Sequence, residues 1–272
     1  MIRPVLAAAM LLPLWAGMVA AQDRPPKAPP PGNQVEPVRP PERPAPPVAE
    51  ARAPVAAPVR SANGAAPVFG PPAPPDWWGL RETDADYAAC RLALSLLGTV
   101  YEELPQIDGG KNRNCGIARP VRVSHILPDL ALENGAVMRC DTARALGFWA
   151  RDFLRPAAAT LPDAPRVTGL RLGSTYACRG RIGAGQDAQK LSEHALGNAI
   201  DISAILFEEG AEPLPILPRT DSGDRAEAFQ RAIRGAACLY FTTILGPGTD
   251  QAHDNHLHLD LSARPGGWRL CQ

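Results

Sequence analysis

Three of the chain's five histidines fall within six positions, in the stretch AHDNHLHLDL that runs from Ala252 to Leu261. A fourth, His194, belongs to LSEHALGNAIDIS and is followed seven residues later by Asp201. Only His125 lies outside these two motifs. Imidazole titrates near neutral pH and binds metals through either ring nitrogen. Histidines gathered with carboxylates therefore point to metal ligation or proton transfer. In an extended HLHLDL, His256, His258 and Asp260 share one face, and Leu257, Leu259 and Leu261 share the other. One face is then a core face and the other is lined with imidazole. Upstream, Gly197 turns the chain, Ala199 and Asp201 share a strand face, and Ile200 and Ile202 take the opposite one. His194, before the turn, can fold back towards Asp201. If the two strands are neighbours, two imidazoles and a carboxylate meet. Two histidines and an aspartate with an open fourth position form the ligand set of a catalytic zinc site. These donors suit Zn²⁺ better than Ca²⁺ or Mg²⁺.

The elements that must position these residues can be read from periodicity. TDADYAACRLALSLLGTVYEEL has apolar residues at helical spacing, with Thr83 or Asp84 as N-cap. A second helix starts near Asp141 and is expected to lose its path at Pro156. Val167, Leu170 and Leu172 open a strand. GNAIDISAILF alternates, DRAEAFQRAIRGAACLYF is a third amphipathic helix, and YFTTILGPG and HLHLDLS read as closing strands. Helices and strands mix without a regular βαβ repeat. The fold class expected is α+β, with a small, mostly antiparallel sheet flanked by helices.

The chain has 272 residues, and its 28 basic and 28 acidic residues cancel. No basic patch suggests a nucleic-acid partner. Residues 1–21 read as a secretory signal peptide: Arg3, an apolar run from Val5 to Met18, then small residues to Ala21. The run is too short to span a membrane, so no integral anchor is expected after cleavage. Residues 22–76 hold more than half of the 31 prolines and show no apolar period, which predicts a disordered, proline-rich arm. Residues 77–272 read as the globular domain. Six cysteines in an exported chain imply disulfides and a periplasmic or secreted location. Closing moderate loops favours Cys90–Cys115, Cys140–Cys178 and Cys238–Cys271, although six cysteines allow 15 pairings.

SEHALGNAID resembles the S-x-H-x-x-G-x-A-x-D signature of the LAS metallopeptidases. That group includes D-alanyl-D-alanine carboxypeptidases, penicillin-insensitive murein endopeptidases and the Hedgehog domain. HDNHLH resembles the murein endopeptidase form of the second motif. Over the globular part, YACRGR, LSEHALGNAIDI, ILGPG and HDNHLHLDL are most similar to the bacterial extensin-like C-terminal domain family. The resemblance implies a Hedgehog/DD-peptidase-like domain with zinc on His194, Asp201 and His258. It places His256 and His253 as catalytic groups beside the attacking water. It also places Arg179 where the carboxypeptidase branch holds a substrate carboxylate, although Arg181 competes for that role. Where that branch has a glutamate base, this chain has Asn255, so a histidine must move the proton. Asp260 could orient an imidazole.

The function expected is that of a zinc-dependent peptidase acting on peptidoglycan peptides or cross-links in the cell envelope. The alternative is a non-enzymatic, zinc-stabilised cell-wall binding or structural module on a proline-rich arm.

Overall fold

The structure is a computed structural model that describes residues 73–182, 190–219 and 223–272. The expected signal peptide and nearly all of the expected arm lie outside the described residues. Thr83 caps the first helix, α1 (Asp84–Leu97), its hydroxyl accepting from the Asp86 amide at 3.1 Å. Such a cap contributes about 1 kcal/mol. Gly98, in the left-handed region at φ 69°, ends the helix. Tyr87, Cys90, Leu94 and Leu97 are its buried residues, at the three- and four-residue spacing of one helical face.

Five strands follow: β1 (Val100–Glu103), β2 (Ile107–Asp108), β3 (Gly116–Ile117), β4 (Pro120–Leu127) and β5 (Leu130–Arg139). The next helix, α2 (Cys140–Trp149), passes into a π turn over Ala150–Leu154 and then α3 (Arg155–Ala158). The expected stop at Pro156 is therefore corrected. The widened turn rearranges the ladder just where proline cannot donate, and Pro156 sits in the first turn of α3. The remaining elements are β6 (Val167–Leu172), β7 (Ala199–Phe207), β8 (Leu214–Pro215), α4 (Arg225–Ala237), β9 (Thr243–Leu245), β10 (Leu257–Asp260) and β11 (Leu270–Cys271).

The fold is α+β, and its main sheet runs β1-β4-β5-β6-β7-β10-β9-β11, with β8 also on β7. Among the described residues, only β5–β6 and β9–β11 pair in parallel, and every other pair of neighbours in this sheet is antiparallel. Nine strands make this sheet larger than the small one expected. The hairpin β4–β5 accounts for much of the difference. One core unites the helices with the sheet: Leu94, Leu146, Trp149, Leu170, Ile200, Phe241 and Leu259 have no exposed surface. The buried Trp149 indole donates to the Ile233 carbonyl at 2.9 Å, which meets the cost of burying its N–H.

Three disulfides staple the domain: Cys90–Cys140, Cys115–Cys178 and Cys238–Cys271. The last matches expectation and the other two correct it. Loop-closure entropy grows only logarithmically, so a doubled loop differs by about 0.6 kcal/mol. Packing decides instead. α1 lies on α2, which brings Cys90 to Cys140. Cys115, just before β3, meets Cys178 beside Arg179. Three disulfides suit an oxidising compartment outside the cytoplasm. Among the described residues, no helix is long and apolar enough to cross a membrane.

Candidate metal centre

The site is built where β7 and β10 run side by side. Their antiparallel register sets His258 opposite Asp201, Leu257 opposite Ile202 and Leu259 opposite Ile200. The leucines and isoleucines enter the core, so alternation sends Asp201, His258 and Asp260 to the other face. His194 arrives from a single 3-10 turn, Glu193–Leu196, capped by Ser192. That turn ends at Gly197, at φ 63°. A Cβ there would stand 2.3 Å from Ile117 Cδ1, so only glycine fits between His194 and Asp201.

Three donor atoms converge. His194 Nε2 lies 3.2 Å from His258 Nδ1 and 3.2 Å from Asp201 Oδ1, and His258 Nδ1 lies 2.9 Å from Asp201 Oδ1. A four-coordinate ion with bonds of about 2.0–2.1 Å separates its ligand atoms by about 3.3 Å. The triangle is therefore close to that size before any ion enters. His194, Asp201 and His258 are all buried and form a group that can hold a metal ion.

The outward nitrogens are also assigned. His194 Nδ1 donates to the Thr175 carbonyl at 2.7 Å, and His258 Nε2 donates to Asp260 Oδ2 at 3.1 Å. Each bond fixes the tautomer that leaves the inward nitrogen as a donor to a cation. Asp260 Oδ1 is in turn held by the Ser262 amide at 2.9 Å.

Charge follows the same geometry. Burial pushes the Asp201 carboxyl up, but its close contacts with the His194 and His258 rings outweigh it and hold the group well below the usual carboxylate range. Burial disfavours a charged His258, yet its bonds to Asp201 and Asp260 prevail, and its pKa is pushed up to about 9. Asp260 is lowered despite its burial, chiefly by its bond to His258. Without an ion, a proton on His258 balances the two carboxylates.

The other two histidines reach the same cavity, of about 230 Å³. His256 precedes β10 rather than lying on it, so the expected shared strand is corrected; irregular backbone at His256 ends the alternation one residue early. Its ring still turns inward, with Nε2 at 3.6 Å from Asp201 Oδ1. Its Nδ1 donates to Asn255 Oδ1 at 2.8 Å. Burial lowers its pKa, which favours the neutral ring. His253 closes a 3-10 turn, Gln251–His253, and its Nδ1 donates to Asp250 Oδ1 at 2.7 Å. Its ring centre is 5.3 Å from that of His256 and 5.7 Å from that of His258. Both non-ligand rings thus have Nδ1 engaged and Nε2 left for chemistry. His125 stands apart on β4.

Arg179 and Arg181 both line the cavity. Arg181 is paired with Glu193 at 3.4 Å and bonds the Leu191 carbonyl. Arg179 makes one long bond, to the Gly180 carbonyl at 3.4 Å, and no ion pair with a described residue. Asp250, Thr175 and Arg264, the last also on the cavity wall, escaped sequence reasoning. Asp250 had a legible sign, an N-cap three residues before His253. Thr175 acts through its backbone and leaves none.

Residues 88–272 match the family of the extensin-like protein C-terminus. The chain belongs to this family. The match spans every residue of the site, from Thr175 to Arg264, but begins after α1 has started. Neither the curated proteins nor the solved structures give a match.

Proposed function

We propose that the extensin-like domain is a zinc-dependent peptidase acting on peptidoglycan peptides or cross-links in the cell envelope. One observation carries the reading: the His256 imidazole has its Nδ1 tied to Asn255 and its Nε2 beside a three-donor group that can hold a metal, and burial favours its neutral form. A group built only to bind an ion has no need of a base at its open side.

Two nitrogens and one oxygen suit zinc, whereas calcium takes six or more oxygens and magnesium keeps several waters. A zinc ion held by His194, Asp201 and His258 would supply Lewis-acid polarisation of the scissile carbonyl and acidification of the attacking water. His256 takes the water's proton at Nε2 and delivers it to the leaving amine, so the peptide bond gives a carboxylate and an amine. Asn255 stands where the carboxypeptidase branch has a glutamate. An amide cannot take the proton, but its Oδ1 orients the ring that can. His253, oriented by Asp250, flanks the same space. Arg179, on the cavity wall with no ion pair to a described residue, offers two parallel N–H groups to a substrate carboxylate. The disulfides fit an envelope location, and the resemblance to LAS peptidases supplies the substrate class.

Incubation of peptidoglycan and its released muropeptides with the zinc-loaded protein tests the reading. Cleavage that stops on chelation and returns with zinc is the result expected. Zinc uptake without cleavage favours the second reading, a zinc-stabilised wall-binding module, which the missing glutamate supports.

A further inference from the structure

The turn that carries His194 is held from behind by a buried polar relay. Asn198 lies between His194 and Asp201 in the chain and is 1 % exposed. Its Oδ1 accepts from Arg139 Nη1 at 2.8 Å, and its Nδ2 donates to Glu193 Oε2 at 2.8 Å. Its backbone carbonyl accepts from the Leu261 amide at 3.1 Å, one residue beyond Asp260. This single residue therefore touches the turn of His194, the start of β7 and the end of β10.

Arg139 is buried as well. Its Nη2 lies 2.9 Å from Glu82 Oε1, and Glu82 is 8 % exposed. Its backbone amide donates to the Gly197 carbonyl at 2.9 Å, and Thr142 Oγ1 donates to the same oxygen at 3.0 Å. A buried ion pair is a poor source of stability, because desolvation offsets the attraction. What a planar guanidinium between fixed carboxylate and amide oxygens does supply is direction. Glu82 fixes Arg139, Arg139 fixes the amide plane of Asn198, and that plane fixes Glu193 beside His194. Glu82 lies ahead of the matched family segment, which starts at residue 88.

We propose that Glu82, Arg139 and Asn198 are positioning residues for the metal group, so that the stretch ahead of the family domain is part of its site. The inference rests on the metal reading above. Loss of the relay removes the side-chain support behind the turn and leaves it to the Ser192 cap and the Ala177 bond to the His194 carbonyl, so that the ring, still bonded through Nδ1 to Thr175, can shift Nε2 relative to Asp201 and His258. Removal of outer partners of metal ligands weakens metal affinity on the order of 10–100-fold.

The test uses the full chain and Co²⁺ alone as the probe, with affinity read by competition against a chromophoric chelator and geometry by visible absorption. Asn198→Ala should weaken Co²⁺ by about 10-fold, the low end for direct partners of ligands, and alter its absorption; Glu82→Gln, further along the relay, should do the same by a smaller factor, and Asn198→Asp, which keeps the acceptor for Arg139, should fall between Asn198→Ala and wild type. A core variant away from the relay, Ile126→Val, should lower the melting temperature and leave Co²⁺ binding unchanged. If Asn198→Ala does not fold, the isosteric Glu82→Gln carries the test. Relay variants with lowered melting temperature but unaltered affinity and spectrum overturn the inference alone. Wild-type protein that takes up no Co²⁺ overturns the metal reading, and this inference with it.

Discussion

Asp201 and His258 stand directly opposite each other in the β7–β10 ladder, and their side chains close to 2.9 Å. The register that buries Ile200, Ile202, Leu257 and Leu259 is the same register that joins these two donors. A slip of one residue would put the leucines in the cavity and the histidine in the core. Core packing and the geometry of the donor group are thus one constraint in this sheet.

The first prediction concerns the ligands. His258→Ala or Asp201→Ala leaves two protein donors of three, too few to hold an ion firmly. Metal content by elemental analysis should fall from about one zinc per chain to a small fraction of it. Stoichiometric zinc in both variants means that other residues bind it.

The second concerns pH. Folding raises the pKa of His258 from its ordinary 6.5 to about 9 in the metal-free protein. Its charged form then contributes stability that is fully present below pH 6.5 and is lost as pH rises through about 9. Chelator-treated protein should therefore melt lower near pH 9 than near pH 6, with the slope flattened by His258→Asn. Zinc must displace that proton, so its affinity should run the other way and rise across the same interval. Calorimetry with and without chelator reads both slopes. Parallel slopes in the two forms exclude His258 as the coupled group.

A third prediction concerns the staples. Peptide mapping without reduction should recover Cys90 with Cys140, Cys115 with Cys178, and Cys238 with Cys271. Replacing Cys115 and Cys178 by alanine should cost about 4 kcal/mol of stability, as a loop of that length implies in the chain-entropy account. It should also weaken substrate binding, because Arg179 adjoins the lost bridge.

The metal group was legible because its parts sit on regular elements. HLHLDL and NAIDI alternate, and alternation alone sorts Asp201, His258 and Asp260 from the core residues. Thr83 announced α1 for the same kind of reason, a cap next to a helical stripe. The β4–β5 hairpin was not legible. Its register shifts at Val123–His125 and His125–Leu127 break the two-residue period. Asn134 and Gly135, both at positive φ inside β5, look like a turn. Disulfide partners were misjudged because loop length discriminates weakly, whereas the docking of α1 on α2 is a tertiary fact. The relay through Arg139 could not be read at all. Glu82, Arg139 and Asn198 are far apart in the chain, and each alone resembles a surface residue.

The last prediction separates peptidase from binding module. His258 belongs to the three-donor group that can hold a metal ion, whereas His256 and His253 face the same cavity with Nδ1 already bonded and Nε2 available. His256→Ala should keep zinc, since the three donors are untouched, but should slow muropeptide cleavage on the order of 10²–10⁴-fold, as loss of a general base does. Asn255→Leu removes only the acceptor that fixes the His256 ring. It should therefore slow cleavage less than His256→Ala does, and Asn255→Asp, which keeps an oxygen there, should restore much of the rate. His258→Ala should lose zinc and activity together. A binding module would show none of this grading: wall binding would survive His256→Ala, His253→Ala and Asn255→Leu alike, and would fail only when the zinc is lost. Zinc loss in His256→Ala with retention in His258→Ala would reverse the assignment of ligand and base.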